Sequence, residues 1–190
     1  DQKQMIEIMF KDIDRIDRLI TDISFSSRLD ADLVRTKFEN IDLFKLLENY
    51  ISIRATKLKY KINLDQTETG IQLIGNSNKL VQVFDNLIDN SVSIIGKNCK
   101  INIRVFSKGK KIFILFEDNG PGFPKNAINK IFDRFYTDRI NQKEFGKHSG
   151  LGLSISKQII SAHNGDIFAE NIINYNKKII GARVNIILNK

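Results

Sequence analysis

The stretch Gly146–Gly165, GKHSGLGLSISKQIISAHNG, constrains the fold of this chain more than any other. Three glycines, Gly146, Gly150 and Gly152, form a turn that runs straight into an apolar-periodic segment. That spacing predicts a helix from about 150 to 162 with Leu153, Ile155 and Ile159 facing inward. Glycine lets a backbone approach a ligand closely, and the first turn of a helix carries amides with no partner inside the helix. An anion fits such a place. A glycine turn before a helix is also an ordinary change of direction, so the rest of the chain has to decide between the two.

A length of 190 residues suits one domain with a sizeable core and an appended element. No apolar run approaches the roughly 20 residues needed to cross a bilayer. The chain begins at Asp1 with no initiator methionine and no signal-peptide pattern, and so reads as a piece of a longer protein. Cys99 is the single cysteine, which excludes an internal disulfide. With only His148 and His163 beside it, it does not make up a structural zinc site.

The net charge of +8 is unevenly placed. Residues 1–36 carry six Lys/Arg and eight Asp/Glu, a net of −2, leaving 24 basic and 14 acidic residues, a net of +10, on the remainder. A basic body attracts nucleic acid, an acidic lipid surface or a polyphosphate nucleotide, or simply keeps a Lys-rich protein soluble. No zinc finger, RNA-binding aromatic pattern or concentrated basic run is present, so nucleic-acid binding is not expected.

Residues 2–34 hold no Gly or Pro and place Met9, Ile13, Ile16, Ile20 and Ile23 at steps of 4, 3, 4 and 3. This is the seam of a helical bundle, which needs a partner helix to be buried. After Val34 the pattern predicts a strand at 38–43, a helix at 44–58, strands at 61–64 and 71–74, and a helix capped by Asn76 or Ser77 running to about Ile95. Strands at 101–106 and 112–117 pair across SKGKK, and strands at 166–170 and 183–188 close the chain. Antiparallel strand pairs interrupted by three helices predict an α+β fold, a two-layer α/β sandwich with helices on one face.

Within the third helix, Leu80, Phe84, Leu87, Ile88 and Ile95 make the apolar stripe. Asn86 and Asn90 stand four apart beside it, on one face. Unpartnered buried amides cost about 2 kcal/mol each, so the pair meets something polar, such as a hydrated metal and phosphates, or else faces solvent. Next comes EDNGPGF, with Asp118, Asn119, Gly120 and Gly122: an acid at a strand end that makes a hairpin or presents a carboxylate to a ring amine. The aromatic cluster IFDRFY (131–136) follows.

In this order, Asn-Leu-Ile-Asp-Asn (86–90), Asp-Asn-Gly-Pro-Gly (118–122), Phe-Asp-Arg-Phe-Tyr (132–136) and Gly-Leu-Gly-Leu (150–153) resemble the N box, first glycine box, F box and second glycine box of bacterial sensor histidine kinases. The resemblance takes residues 37–190 as the catalytic ATP-binding domain, a Bergerat-type (GHKL) sandwich, and residues 1–36 as the second helix of the dimerisation and phosphoacceptor bundle. DISxxSRLDA, FYTDR and HSGLGLSIS are further similar to the alphaproteobacterial ChvG-like subgroup.

The resemblance implies ATP and Mg²⁺ as cofactors, a homodimer formed through the bundle, a response regulator as partner, and the cytoplasmic portion of a bacterial inner-membrane sensor. Asp118 is expected to accept from the adenine amine, with Gly120 and Gly122 admitting the ring. Asn90 is expected to ligate Mg²⁺ and Asn86 to assist through water or phosphate. Gly150, Leu151, Gly152 and Leu153, with Lys147, His148 and Ser149 ahead of them, are expected to line the phosphates. Pro124–Ser149 is expected to be a mobile lid, anchored at its near end by Phe132 and Phe135. Superfamily members that hydrolyse ATP carry Glu where Asn86 stands; an amide cannot take water's proton, which favours phosphoryl transfer.

The chain also departs from the family. Ser93 and Ile94 stand where Lys or Arg and then Tyr are common, and Thr137 replaces a common Arg. Arg139, Lys143 and Lys147 are the candidates to meet phosphate charge instead. Neither histidine sits in a phosphoacceptor context, so the acceptor is expected on a helix outside this chain. His163, at a helix end, is expected to act locally as a cation near the C-terminal dipole. The alternatives to a kinase core are a degenerate ATP-binding module that signals by dimerisation, and a serine kinase of the anti-sigma type.

Overall fold

A computed structural model describes residues 9, 13, 16, 37–55, 61–66, 68, 70–136 and 150–190. Met9, Ile13 and Ile16 are helical and each is more than half exposed. The rest of the expected bundle helix lies outside the described residues.

Two short strands, β1 (Glu39–Asp42) and β3 (Gln72–Gly75), pair antiparallel as a sheet of their own. Between them come α1 (Leu43–Ala55) and β2 (Lys61–Gln66). The long α2 (Ser77–Ile95) follows, then β4 (Lys100–Lys108), β5 (Lys111–Asp118), α3 (Gly152–Ala162), β6 (Asp166–Ile173) and β7 (Ile179–Asn189). The main sheet has the order β2-β4-β5-β7-β6.

The expectation of antiparallel pairs holds for β4, β5, β7 and β6, but β2 runs parallel to β4. The reason is the connection: a chain that leaves β2 and returns only after β3 and α2 has crossed over, and a crossover delivers a parallel neighbour. The strand patterns alternate cleanly. Ile101, Ile103 and Val105 of β4, Ile112, Ile114 and Phe116 of β5, and Val184, Ile186 and Leu188 of β7 are all buried. They meet Leu43, Leu47 and Tyr50 of α1, Leu80, Val83, Phe84, Leu87 and Ile88 of α2, and Ile155, Ile159 and Ile160 of α3 in one core. Phe84 joins the layers, 5.6 Å from Phe116 and 5.7 Å from Tyr50.

The opposite sheet face is polar where β5, β6 and β7 pass. Arg183 bridges Glu117 at 2.6 Å and Glu170 at 2.9 Å, and Asn185 donates to Glu170. Burial pushes the Glu170 carboxyl up, but hydrogen bonds from Asn185 and Arg183 outweigh it and hold the group below its ordinary value. Helix α2 has a visible start and stop. Asn76 caps α2, its side chain accepting from Lys79 N, and Gly96 ends it with φ 73°.

Candidate nucleotide site

The site grows from one helix. Asn86 of α2 donates from Nδ2 to the carbonyl of Gly152 at 2.9 Å and to Ser156 Oγ at 3.2 Å. It finds its polar partner within the protein, and the bond fixes where α3 begins. Five residues on, Ser91 Oγ donates to Asp118 Oδ2 at 2.7 Å. At 1.5 Å rise per residue these two anchor points lie roughly 7–8 Å apart along the helix axis. Asn90, half-buried, sits between them in sequence and lines a cleft with Ser91, Asp118, Phe116 and Phe123. Leu87, Ile88, Ile101 and Val184 give the cleft apolar walls.

Asp118 is held by three donors. Gly120 N and Ala182 N reach Oδ1 at 2.8 and 3.3 Å, and Ser91 takes Oδ2. The strand behind must come unusually close: a Cβ on Gly181 would lie 2.1 Å from the Asp118 carbonyl oxygen, so only glycine fits there. Gly122 has a packing role of its own. Its φ is 80°, and a Cβ would strike Asn171 Oδ1 and Ile179 Cγ2, both at 2.5 Å. Its bareness seats Asn171, which brackets Phe123 by accepting from its N at 2.6 Å and donating to its O at 2.7 Å. The loop after Asp118 is therefore clamped by β6.

At the other end, α3 starts without a side-chain cap. The residue in the cap position is Leu151, itself a core residue at 1% exposure. Ser154 turns its hydroxyl back to the Leu151 carbonyl. The first amides of α3 have no partner within the helix, and the dipole adds positive potential there. Gly150 (φ 72°) delivers the chain to this turn, and Leu153 packs partly buried against the core, as Ile155 and Ile159 do fully. Arg139, Lys143, Lys147, His148 and Ser149 lie outside the described residues.

The near end of the expected lid, from Pro124, is a chain of turns, each closed by a bond from an N–H to the carbonyl three residues before it. Ile131 and Phe132 are buried and Tyr136 packs partly buried on the core. Phe135 does not share the anchoring: the backbone turns left-handed there, φ 63°, and the ring is 47% exposed.

His163 is not the cationic end-group expected. It is buried, its Nε2 accepts from Asn76 N at 3.0 Å, and its ring stacks on Phe38 at 4.7 Å. That leaves the proton on Nδ1, 2.7 Å from the Ile159 carbonyl. Burial holds the imidazole below its ordinary pKa, partly opposed by that backbone bond. The ring ties the end of α3 to the start of α2. Cys99 is also buried, and burial, with the Asp118 charge adding to it, pushes its thiol up to about 11, which leaves it inert.

Sequence reasoning missed Ser91, Asn171 and Gly181. Asn171 had a signal, a polar residue at an inward position of an alternating strand; Ser91 had its place beside Asn90. Nothing in the sequence marked Gly181, because its constraint is a strand two elements away.

Comparison with known proteins places this geometry. The chain is 38% identical over 192 residues to the sensor protein ChvG of Rhizobium meliloti (strain 1021), a match covering 96% of this chain and 33% of that protein. It thus spans about a third of the length of the relatives it matches. Its fold aligns with full-length ShkA solved in complex with AMPPNP at TM-score 0.72 and 19% identity, over 98% of this chain and 38% of that one. It aligns also with histidine kinase ThkA in complex with response regulator protein TrrA at TM-score 0.70 and 22% identity, over 100% and 52%. Those two likenesses speak for the fold. Residues 75–189, which hold every anchor point described above, match one family over well over half of the chain, and the protein belongs to it: the histidine kinase-, DNA gyrase B- and HSP90-like ATPases.

Proposed function

We propose that residues 37–190 are the catalytic ATP-binding domain of a sensor histidine kinase. The domain passes the γ-phosphoryl group of ATP to a histidine on a helix outside this chain, for relay to a response-regulator aspartate. The observation that carries this is the double anchoring of α2: Ser91 to Asp118 at one end, Asn86 to the uncapped start of α3 at the other. One rigid helix thereby sets the distance between an acceptor for a base amine and an amide cradle for phosphates.

Mg²⁺ is the ion this site suits. Among the described residues no group of three or more His, Cys, Asp or Glu could cage a metal. Mg²⁺ keeps water and phosphate oxygens and needs little from the protein, and the Asn90 carboxamide oxygen supplies that little. When bound, the ion neutralises phosphate charge. Asn86, spent on Gly152 and Ser156 and unable to take a proton, gives water no general base, which favours transfer over hydrolysis. Lys147 and Arg139 of the lid are the proposed phosphate contacts.

Residues 1–36 are the second helix of a homodimeric bundle on this reading. Met9, Ile13 and Ile16, helical and exposed, are the seam a partner helix would cover. The likeness to the sensor protein ChvG supports a sensor, and on this reading the chain is the cytoplasmic part of a membrane-anchored one. Among the described residues no helix is long and apolar enough to cross a membrane. ThkA with TrrA supports a response regulator as partner.

The test is transfer from γ-labelled Mg-ATP to a bundle bearing the phosphoacceptor histidine of the parent protein. Acid-labile, base-stable label on that bundle is the expected result. Tight ATP binding with no transfer would instead favour a degenerate signalling module.

A further inference from the structure

We infer that Ser91 is a positioning residue that selects the base: it leaves the Asp118–Ser91 corner of the cleft presenting acceptors alone, favouring a purine with an exocyclic amine over its 6-oxo counterpart. This deepens the nucleotide reading above and rests on it.

The argument is a count of hydrogen-bonding positions. A carboxylate offers about four lone-pair sites and no donor, and a serine hydroxyl one proton and two lone pairs. Both sites on Asp118 Oδ1 are taken by backbone amides, those of Gly120 and Ala182. These donors are fixed, so the carboxylate cannot swing. One site on Oδ2 is taken by the Ser91 proton. A single acceptor position remains on Oδ2, and the Ser91 oxygen, its proton committed, offers only lone pairs. Both residues line the cleft, with Leu87, Ile88 and Val184 as apolar walls and Asn90 and Glu117 as its other polar residues.

A base amine finds acceptors here. At the Asp118–Ser91 pair a 6-oxo group finds lone pair against lone pair, and an unpaired buried acceptor is costly. Ser91 could donate to a 6-oxo base only by leaving Asp118. Without the hydroxyl, a water takes its place, and water can turn a proton toward either base.

The experiment is titration of this chain with Mg-ATP and with the 6-oxo analogue Mg-ITP, for wild type, Ser91→Ala and Ser91→Thr. The ratio of the two dissociation constants is read within each variant, so a partly unfolded sample does not change it. Expected is a wild type that favours ATP at least about ten-fold, a Ser91→Ala ratio reduced by about ten-fold, and a ratio restored by Ser91→Thr. A ratio unchanged in Ser91→Ala, with both ligands weakened alike, overturns the selective role and leaves the nucleotide site standing. Wild type that binds ATP and ITP equally overturns it too. A folded wild type that binds neither overturns the nucleotide reading itself.

Discussion

His163 is held as one tautomer by two backbone groups, and that makes it titrate against the fold. Protonation would set a second N–H against Asn76 N, its present donor. Since burial lowers the folded pKa below the ordinary 6.5, the neutral form carries the stability. That contribution is complete above about pH 6.5 and is lost as pH falls through the unfolded value toward the folded one. Urea unfolding should therefore show a midpoint that declines from pH 7.5 to 5.5 in wild type, with a shallower decline in His163→Gln. Equal slopes would remove the ring from the account. Asn171 makes a similar point without titrating. Its two bonds to Phe123 are part-buried, so Asn171→Ala should cost about 1–3 kcal/mol in denaturant unfolding. The Phe123 amide should exchange with solvent faster, beyond what the global loss explains.

Helix α2 is the element on which the site hangs, and much of it was legible. A cap at Asn76 or Ser77, an end near Ile95 and a buried stripe follow from spacing and cap chemistry alone, and the structure chooses Asn76. The strands β4 and β5 and the turn between them were equally plain from alternation. The parallel pairing of β2 was not, because strand direction depends on which strand β2 meets after a crossover, and no local pattern records that. The four motifs named Asp118, Asn86, Asn90 and Gly152, of which Asp118 and Asn90 line one cleft while Asn86 bonds to Gly152, but they did not tell what each touches. Asn86 shows the difference. Expected to assist through water or phosphate, it also joins α2 to α3 through its Nδ2. Asn86→Ala should leave the Gly152 carbonyl without that donor, lower stability by about 1–2 kcal/mol and weaken Mg-ATP binding several-fold. Comparing the ATP affinity with the unfolding midpoint of the same variant checks both halves.

Across the whole domain, on the proposed nucleotide reading, the sheet and the three helices hold two chemically different ends of one ligand at a fixed separation. The apolar core makes the separation rigid, since Phe84, Leu80 and Ile88 of α2 are fully buried against the sheet. Ends held this way act together, so loss of either should disable binding rather than halve it. Calorimetric titration with Mg-ATP tests this most directly, comparing wild type with Asp118→Ala at the base end and Asn90→Ala at the metal end. The account predicts wild-type binding in the micromolar to millimolar range, about −8 to −4 kcal/mol, with no measurable binding by either variant although both remain folded. A well-folded wild type that gives no heat with Mg-ATP, or an Asp118→Ala variant that binds as wild type does, would contradict it.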